Sequence, residues 1–177
     1  MADVQLIKSL LKAIPDFPKQ GILFQDIFPI FQDPTAVETL VTHIVHRITS
    51  TGLKPDVIVG LDARGFLLGP WIANRLKCAF VPVRKAGKLP GKTTRVGYEK
   101  EYGTDYFEMQ AGAVKAGQRV VVLDDLIATG GSAKAAGDLI AQNGGTTVEY
   151  IFIVELTALK GAAKLNAPTY SIVQFDD

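Results

Sequence analysis

RVVVLDDLIATGGS, residues Arg119 to Ser132, is the stretch on which the reading of the chain turns. Val120 to Leu123 form a short apolar run that ends on two adjacent carboxylates, Asp124 and Asp125. The chain then passes through Ala128, Thr129, Gly130 and Gly131 into a helical pattern. An apolar run bounded by turn signals suits a central parallel strand covered on both faces. The Thr-Gly-Gly-Ser turn brings backbone N–H groups together at a helix start. Converging N–H groups and the helix dipole make a phosphate site, and glycines permit close backbone approach. Ionised carboxylates only accept hydrogen bonds, so Asp124 and Asp125 beside such a cradle suit a vicinal diol. Phosphate plus diol is a ribose 5-phosphate. Two commoner phosphate motifs are absent. No first glycine stands at the offset that G-x-x-x-x-G-K-[ST] requires, and no G-x-G-x-x-G occurs.

Composition narrows the setting. The 177 residues are one domain's worth, 47% hydrophobic and 21% charged, as in ordinary globular proteins. Nineteen basic and eighteen acidic residues leave a formal charge of +1, so no global field draws the chain to nucleic acid or a membrane. A single cysteine, Cys78, excludes an internal disulfide and a Cys-based zinc site, and is read as a small buried filler. The first residues, MADVQLIKSLLKAIPDF, have only short apolar spans and read as neither signal peptide nor membrane helix, which gives a cytoplasmic expectation.

Working outward, residues 3 to 14 predict an amphipathic helix behind Asp3, stopped by Pro15. FPKQGILFQDIFPIF reads as a loop whose aromatics are mostly core anchors, with Phe24 as the candidate to stack on a ligand base. Asp33-Pro34 predicts a capped helix to about Ser50. His43 and His46 lie on that helix without a third ligand nearby and read as solvated or satisfied side chains. Val57 to Val59 predict a buried strand, followed by the loop Gly60 to Gly65, a helix over 66–77 and a strand over Ala79 to Val83. Within that loop, either backbone N–H groups and Arg64 face a ligand at the carboxyl edge of the sheet, or Asp62 and Arg64 form a surface pair.

From Arg84 to Tyr102 the composition turns basic, with Arg84, Lys85, Lys88, Lys92 and Arg95 among glycines. Local positive charge on a long pliable loop suits a polyphosphate. Thr104 to Gln110 predict an edge strand, paired with Thr93 to Tyr98 as a hairpin. Beyond the opening stretch come an Ala-rich helix to Asn143, a strand over Val148 to Leu156, a short helix capped by Thr157, and a last strand over Tyr170 to Phe175. Strands separated by helices predict an α/β fold, a mostly parallel central sheet flanked by helices.

LDDLIATGGS resembles the PRPP (phosphoribosyl pyrophosphate) motif of the type I phosphoribosyltransferases. Further segments are similar, in the same order, to the branch of that family that acts on adenine: FPKQGILFQDI (17–27), GLDARGFLLGP (60–70), VPVRKAGKLPG (81–91), YEKEYGTDYFEMQ (98–110) and VELTALKGAAKLNAP (154–168). The resemblance implies a single domain over 1–177, with a hood and base-binding segment over 1–33 and a flexible lid loop and hairpin over 84–107. It implies transfer of the phosphoribosyl group of PRPP to N9 of adenine, giving AMP and pyrophosphate, with substrate-bound Mg²⁺, in a homodimer.

Residue by residue, it implies that Asp124 and Asp125 take the ribose hydroxyls and that Ala128, Thr129, Gly130, Gly131 and Ser132 take the 5-phosphate. Ala63, Arg64, Lys85 and Lys88 take the pyrophosphate, as does Arg84, which in relatives reaches that of the neighbouring subunit. A cis non-proline peptide often occurs in the Ala63 loop of relatives. Leu23 and Gln25 read the adenine edge through their backbones, between Phe24 and Leu156. Gln25 departs from the arginine of some relatives. Glu101 is the lid acid or base near N7; residue chemistry alone does not choose it over Glu99, and the resemblance does. No protein metal cage is implied. A phosphoribosyltransferase for another purine base and a non-catalytic PRPP sensor are the alternative readings.

Overall fold

A computed structural model describes residues 2–100 and 103–176, with the side chains of Glu99 and Lys100 excepted. Glu101, the expected lid acid, lies outside the described residues.

The core is a seven-stranded sheet of order β5-β6-β4-β3-β7-β8-β9. Its centre is β3 (Val57–Leu61), flanked by β4 (Ala79–Lys85) and β7 (Arg119–Ile127); β8 (Thr146–Leu156) and β9 (Thr169–Phe175) follow beyond β7. These five strands are parallel, and β5 (Thr93–Lys100) and β6 (Gly103–Gln110) form an antiparallel hairpin added beside β4. β3 is buried at every position, which explains its continuous Val/Ile/Leu character. Alternation divides the strand side chains between two cores. Ile58, Val121, Leu123, Ile151 and Ile153 meet α1 (Ala2–Leu10), α3 (Pro34–Ser50) and α4 (Gly65–Leu76) on one face. Val57, Val59, Val120, Val122, Tyr150 and Phe152 meet α5 (Gly131–Gln142) on the other.

The predicted α3 start holds: Asp33 accepts from the N–H groups of Thr35 at 2.8 Å and Ala36 at 3.3 Å. His43 is satisfied by the Tyr170 hydroxyl at 2.7 Å. Cys78 is only half-buried, packed at the edge of the core.

Several expectations need correction. The first helix stops at Leu10, and Lys12–Pro15 form β1, paired antiparallel with β2 (Leu23–Asp26) so that Ile14 faces Phe24. That pairing is non-local, and a helical spacing of Ile14 from Leu10 cannot reveal it. The segment read as a loop thus holds β2 and the one-turn α2 (Phe28–Phe31). Phe17, in the turn between β1 and β2, and Phe28, at the start of α2, expected as core anchors, are about half exposed at 50% and 49%. The edge strand is β5, not Thr104 to Gln110, since β6 is held on both sides. Thr157 does not cap a helix: its hydroxyl goes to the Phe175 carbonyl and Asp176, and two short 3₁₀ turns follow, Thr157–Leu159 and Gly161–Lys164.

Candidate active site

The chain leaves β3 through α4 toward β4 on one side and leaves β7 through α5 toward β8 on the other. Adjacent parallel strands whose connections diverge leave a crevice at their carboxyl ends. Into it project the loop Asp62 to Arg64 after β3 and the segment Asp124 to Ser132 at the end of β7. Together these line a cavity of about 260 Å³, with Phe152 beneath. The residues predicted for sugar phosphate, Asp124, Asp125, Ala128, Thr129, Gly130, Gly131 and Ser132, are therefore assembled with Arg64. Ala63 is exposed in the same loop, and the peptide joining Asp62 to Ala63 is cis.

The turn into α5 is shaped for an anion. Gly130 has φ of 79°, in the left-handed region, and its side-chain-free face lies against Gly161. A Cβ there would fall 2.4 Å from the Gly161 carbonyl oxygen, and one on Gly161 would fall 2.3 Å from the Ala128 carbonyl. Two glycines thus interlock the loop with the first residue of the 3₁₀ turn. Where α3 is capped by its own Asp33, α5 has no side-chain cap, so its first N–H groups face the cavity.

The acidic strand end is electrostatically tense. Asp125 is 5% exposed and pairs with the Arg64 guanidinium Nε. Burial pushes the Asp124 carboxyl well above the ordinary carboxylate range, and the Asp125 charge pushes it further. The Asp125 N–H, donating at 2.9 Å, opposes this only in part. Asp62 accepts from Arg84 Nε at 2.9 Å. The alternative in which Asp62 and Arg64 pair with each other is thereby replaced by two cross-strand pairs.

Next to this crevice, Arg84 also donates from Nη1 to the Lys88 carbonyl at 3.3 Å. Lys85 and Lys88 are exposed. The loop that carries Lys88 is gripped from below by Glu108 on β6, which is 0% exposed. Glu108 accepts from the backbone N–H groups of Lys88 and Leu89, from Thr93 Oγ1 and from Arg95 Nε. Burial alone would raise its pKa, but the N–H groups of Leu89, Gly87 and Lys88 and the Thr93 hydroxyl outweigh it and bring the carboxyl to about 2.

On the hood side, Leu23, Gln25 and Leu156 line a second cavity of about 590 Å³, with Lys8 and Phe175. Phe24 points away from Leu23 and Gln25, as strand alternation requires. Its ring meets Phe17 edge-on at 5.1 Å, and the Arg64 guanidinium lies 5.8 Å from its centroid. Phe24 thus bridges from the hood to the sugar-phosphate crevice. Among the described residues no cluster of three or more His, Cys, Asp or Glu side chains could hold a metal ion.

Residues 30–175 match the phosphoribosyl transferase domain family. The chain belongs to the phosphoribosyltransferase family. Its similarity to individual members runs nearly end to end. The adenine phosphoribosyltransferase of Yarrowia lipolytica is 54% identical over 94% of this chain and 93% of its own. The structure of the Saccharomyces cerevisiae adenine phosphoribosyltransferase, with an imino-altritol bisphosphate and adenine, superimposes with a TM-score of 0.95 at 48% identity, covering 97% of this chain and 99% of the yeast chain. That of Trypanosoma brucei, in complex with AMP, pyrophosphate and ribose-5-phosphate, gives 0.89 at 31% identity, over 98% and 80%. The mostly parallel sheet flanked by helices is the type I phosphoribosyltransferase architecture.

Three residues of this phosphoribosyltransferase site were not singled out for it. Asp62 had a visible signal, since it follows Leu61 at a strand end as Asp124 follows Leu123. Glu108 had none, because an acid inside a strand reads as solvent-facing until its neighbours are known. Gly161 had none either: its role is a contact with a loop some thirty residues earlier in the chain.

Proposed function

We propose that the chain transfers the 5-phosphoribosyl group of PRPP to N9 of adenine, releasing pyrophosphate and forming AMP. The observation that carries this is one crevice holding an acidic pair, an uncapped helix start and an arginine, in a chain 54% identical to an adenine phosphoribosyltransferase. The bond from C1′ to the pyrophosphate oxygen breaks, the N9–C1′ bond forms, and adenine loses its N9 proton. Positive charge develops on the sugar as negative charge builds on the leaving group, so the site needs opposite charges on opposite sides.

Asp124 and Asp125 accept from the ribose hydroxyls and place negative charge beside the developing cation. The N–H groups of Ala128 to Ser132 hold the 5-phosphate and fix the sugar's orientation. Arg64, the Ala63 backbone, Lys85 and Lys88 receive the pyrophosphate, and Arg84 reaches that of the neighbouring subunit. Glu101 manages the proton near N7 as the lid closes and excludes water from the sugar. Phe24 and Leu156 sandwich the adenine, and backbone groups of Leu23 and Gln25 match its amino edge, disfavouring 6-oxopurines by donor and acceptor mismatch.

Mg²⁺ would come bound to the substrate, and Asp124 and Asp125 are the residues that would hold it in the crevice. The oxygen-only donors Asp124 and Asp125 suit so hard a cation, and it seldom takes a full protein cage. When bound it neutralises charge on the leaving pyrophosphate. A homodimer fits the outward face of α4, where Leu67 and Trp71 stay 39% and 53% exposed, and a partner would cover them. The hood over 1–33 and the lid hairpin over 84–107 complete a single catalytic domain.

Incubation with PRPP, Mg²⁺ and each free purine base, following nucleotide and pyrophosphate, tests the reading. AMP and pyrophosphate from adenine alone are expected. Turnover of hypoxanthine or guanine instead, or of none of them, would contradict it.

A further inference from the structure

The loop Ala86 to Lys92 joins β4 to β5 and carries Lys88, whose carbonyl accepts from Arg84, the partner of the crevice residue Asp62. Backbone bonds tie its ends, Ala86 N–H to the Tyr106 carbonyl and Ala111 N–H to the Lys92 carbonyl, both at 2.9 Å. Its middle has no backbone partner of that kind among the described residues. There, Lys88 and Leu89 aim successive N–H groups at one oxygen of Glu108, at 2.9 and 2.8 Å, while Thr93 and Arg95 take the other at 3.2 and 3.1 Å. Arg84 stands opposite Glu108 across the β4–β6 ladder and holds the Lys88 carbonyl from the other side. The peptide groups of Lys88 are therefore clamped at both N–H and C=O, and the side chain is left to reach outward.

We propose that Glu108 is a positioning residue for pyrophosphate: with Arg84 on the Lys88 carbonyl, it shapes the β4–β5 loop so that Lys88 presents its charge to the leaving group. This rests on the pyrophosphate reading given above for Lys88. A buried acid with four donors and no route to solvent does not touch substrate, and its effect passes through the loop. Removing it frees two N–H groups and lets the loop sample conformations in which Lys88 no longer offers its charge to pyrophosphate. The cost falls on ligands that carry pyrophosphate. AMP, which has the 5′-phosphate and the base but no pyrophosphate, does not use the loop.

Glu108→Ala is the direct test. The KM for PRPP, and for pyrophosphate in the reverse direction, should rise about tenfold or more, with the dissociation constant of AMP held within about twofold. Glu108→Gln keeps an oxygen that can accept from Lys88 and Leu89 and should restore most of the loss. Lys88→Ala tests the reading beneath: it should raise the same two KM values. Should Glu108→Ala fail to fold, backbone amide exchange at Lys88 and Leu89 decides in the wild type and Glu108→Gln. Slow exchange at both amides, retained in Glu108→Gln, supports the clamp, and fast exchange in the wild type overturns it. Glu108→Ala with an unchanged KM for PRPP, or with AMP binding weakened equally, overturns the positioning role while Lys88→Ala still shows its effect. If Lys88→Ala also leaves PRPP unaffected, the pyrophosphate reading itself has failed.

Discussion

The end of β7 and the inner strand β6 each bury a carboxylate, and the molecule treats the two in opposite ways. Glu108 receives two backbone N–H groups, a hydroxyl and a guanidinium, and its pKa falls from an ordinary 4.5 to about 2. Asp124 stands beside a second carboxylate with one backbone donor, and its pKa is pushed up by burial and by the Asp125 charge. Glu108 is fully buried and Asp124 half-buried, so exposure does not account for the difference; the donors around Glu108 and the Asp125 charge beside Asp124 do. A buried acid with a full set of donors holds structure. One left short of them, in a crevice, has capacity for a ligand's hydroxyls.

The sharpest way to break this comparison is at the crevice. Asp124→Asn with Asp125→Asn removes two charged acceptors from the ribose and the negative charge beside the cationic sugar, and kcat/KM for PRPP should fall roughly a thousandfold or more. Wild-type turnover would refute the diol assignment. Glu101→Ala should come next, lowering kcat about a hundredfold or more with little change in adenine binding. A selective rise in the KM for adenine would make Glu101 a ground-state contact instead.

A smaller effect separates the phosphate loop from the Glu108 loop. Gly161→Ala forces a Cβ to within 2.3 Å of the Ala128 carbonyl, so the turn that holds the 5-phosphate must shift. PRPP and AMP should both weaken, by about tenfold, whereas Glu108→Ala spares AMP. Equal losses in both variants would erase the distinction between the two loops.

Stability offers the smallest signal and the cleanest signs. The folded pKa of Glu108 is depressed, so its contribution is present above about pH 4.5 and is lost as pH falls toward about 2. For Asp124 the folded pKa is raised: its contribution is greatest below its ordinary value of 3.8 and is lost as pH rises. At neutral pH without ligand, Glu108→Gln should lower Tm by roughly 5 °C and Asp124→Asn should raise it by a few degrees. Thermal melts that move in the same direction would sink the comparison.

How much of this was readable from the chain varied with the range of the contact. The β7 segment disclosed its strand, its acids and its helix start because apolar run, carboxylates and glycines are contiguous in sequence. Asp33-Pro34 disclosed α3 for the same reason. The β1–β2 ribbon stayed hidden, because Ile14 joins Phe24 across a turn and its spacing from Leu10 imitates a helix. Phe24 was picked out as the base-stacking aromatic without any hint that its ring would neighbour Arg64. Arg64 was assigned to the pyrophosphate and Asp125 to the ribose hydroxyls, and only the adjacency of β3 and β7 shows that they pair with each other. Glu108 and Gly161 act wholly through partners distant in the chain.

A crystal structure with AMP bound tests the central claim most directly. The account predicts the 5′-phosphate on the N–H groups of Thr129 to Ser132 and both ribose hydroxyls within hydrogen-bonding reach of Asp124 and Asp125. A nucleotide whose phosphate lies elsewhere, or whose ribose turns away from those two carboxylates, would contradict it.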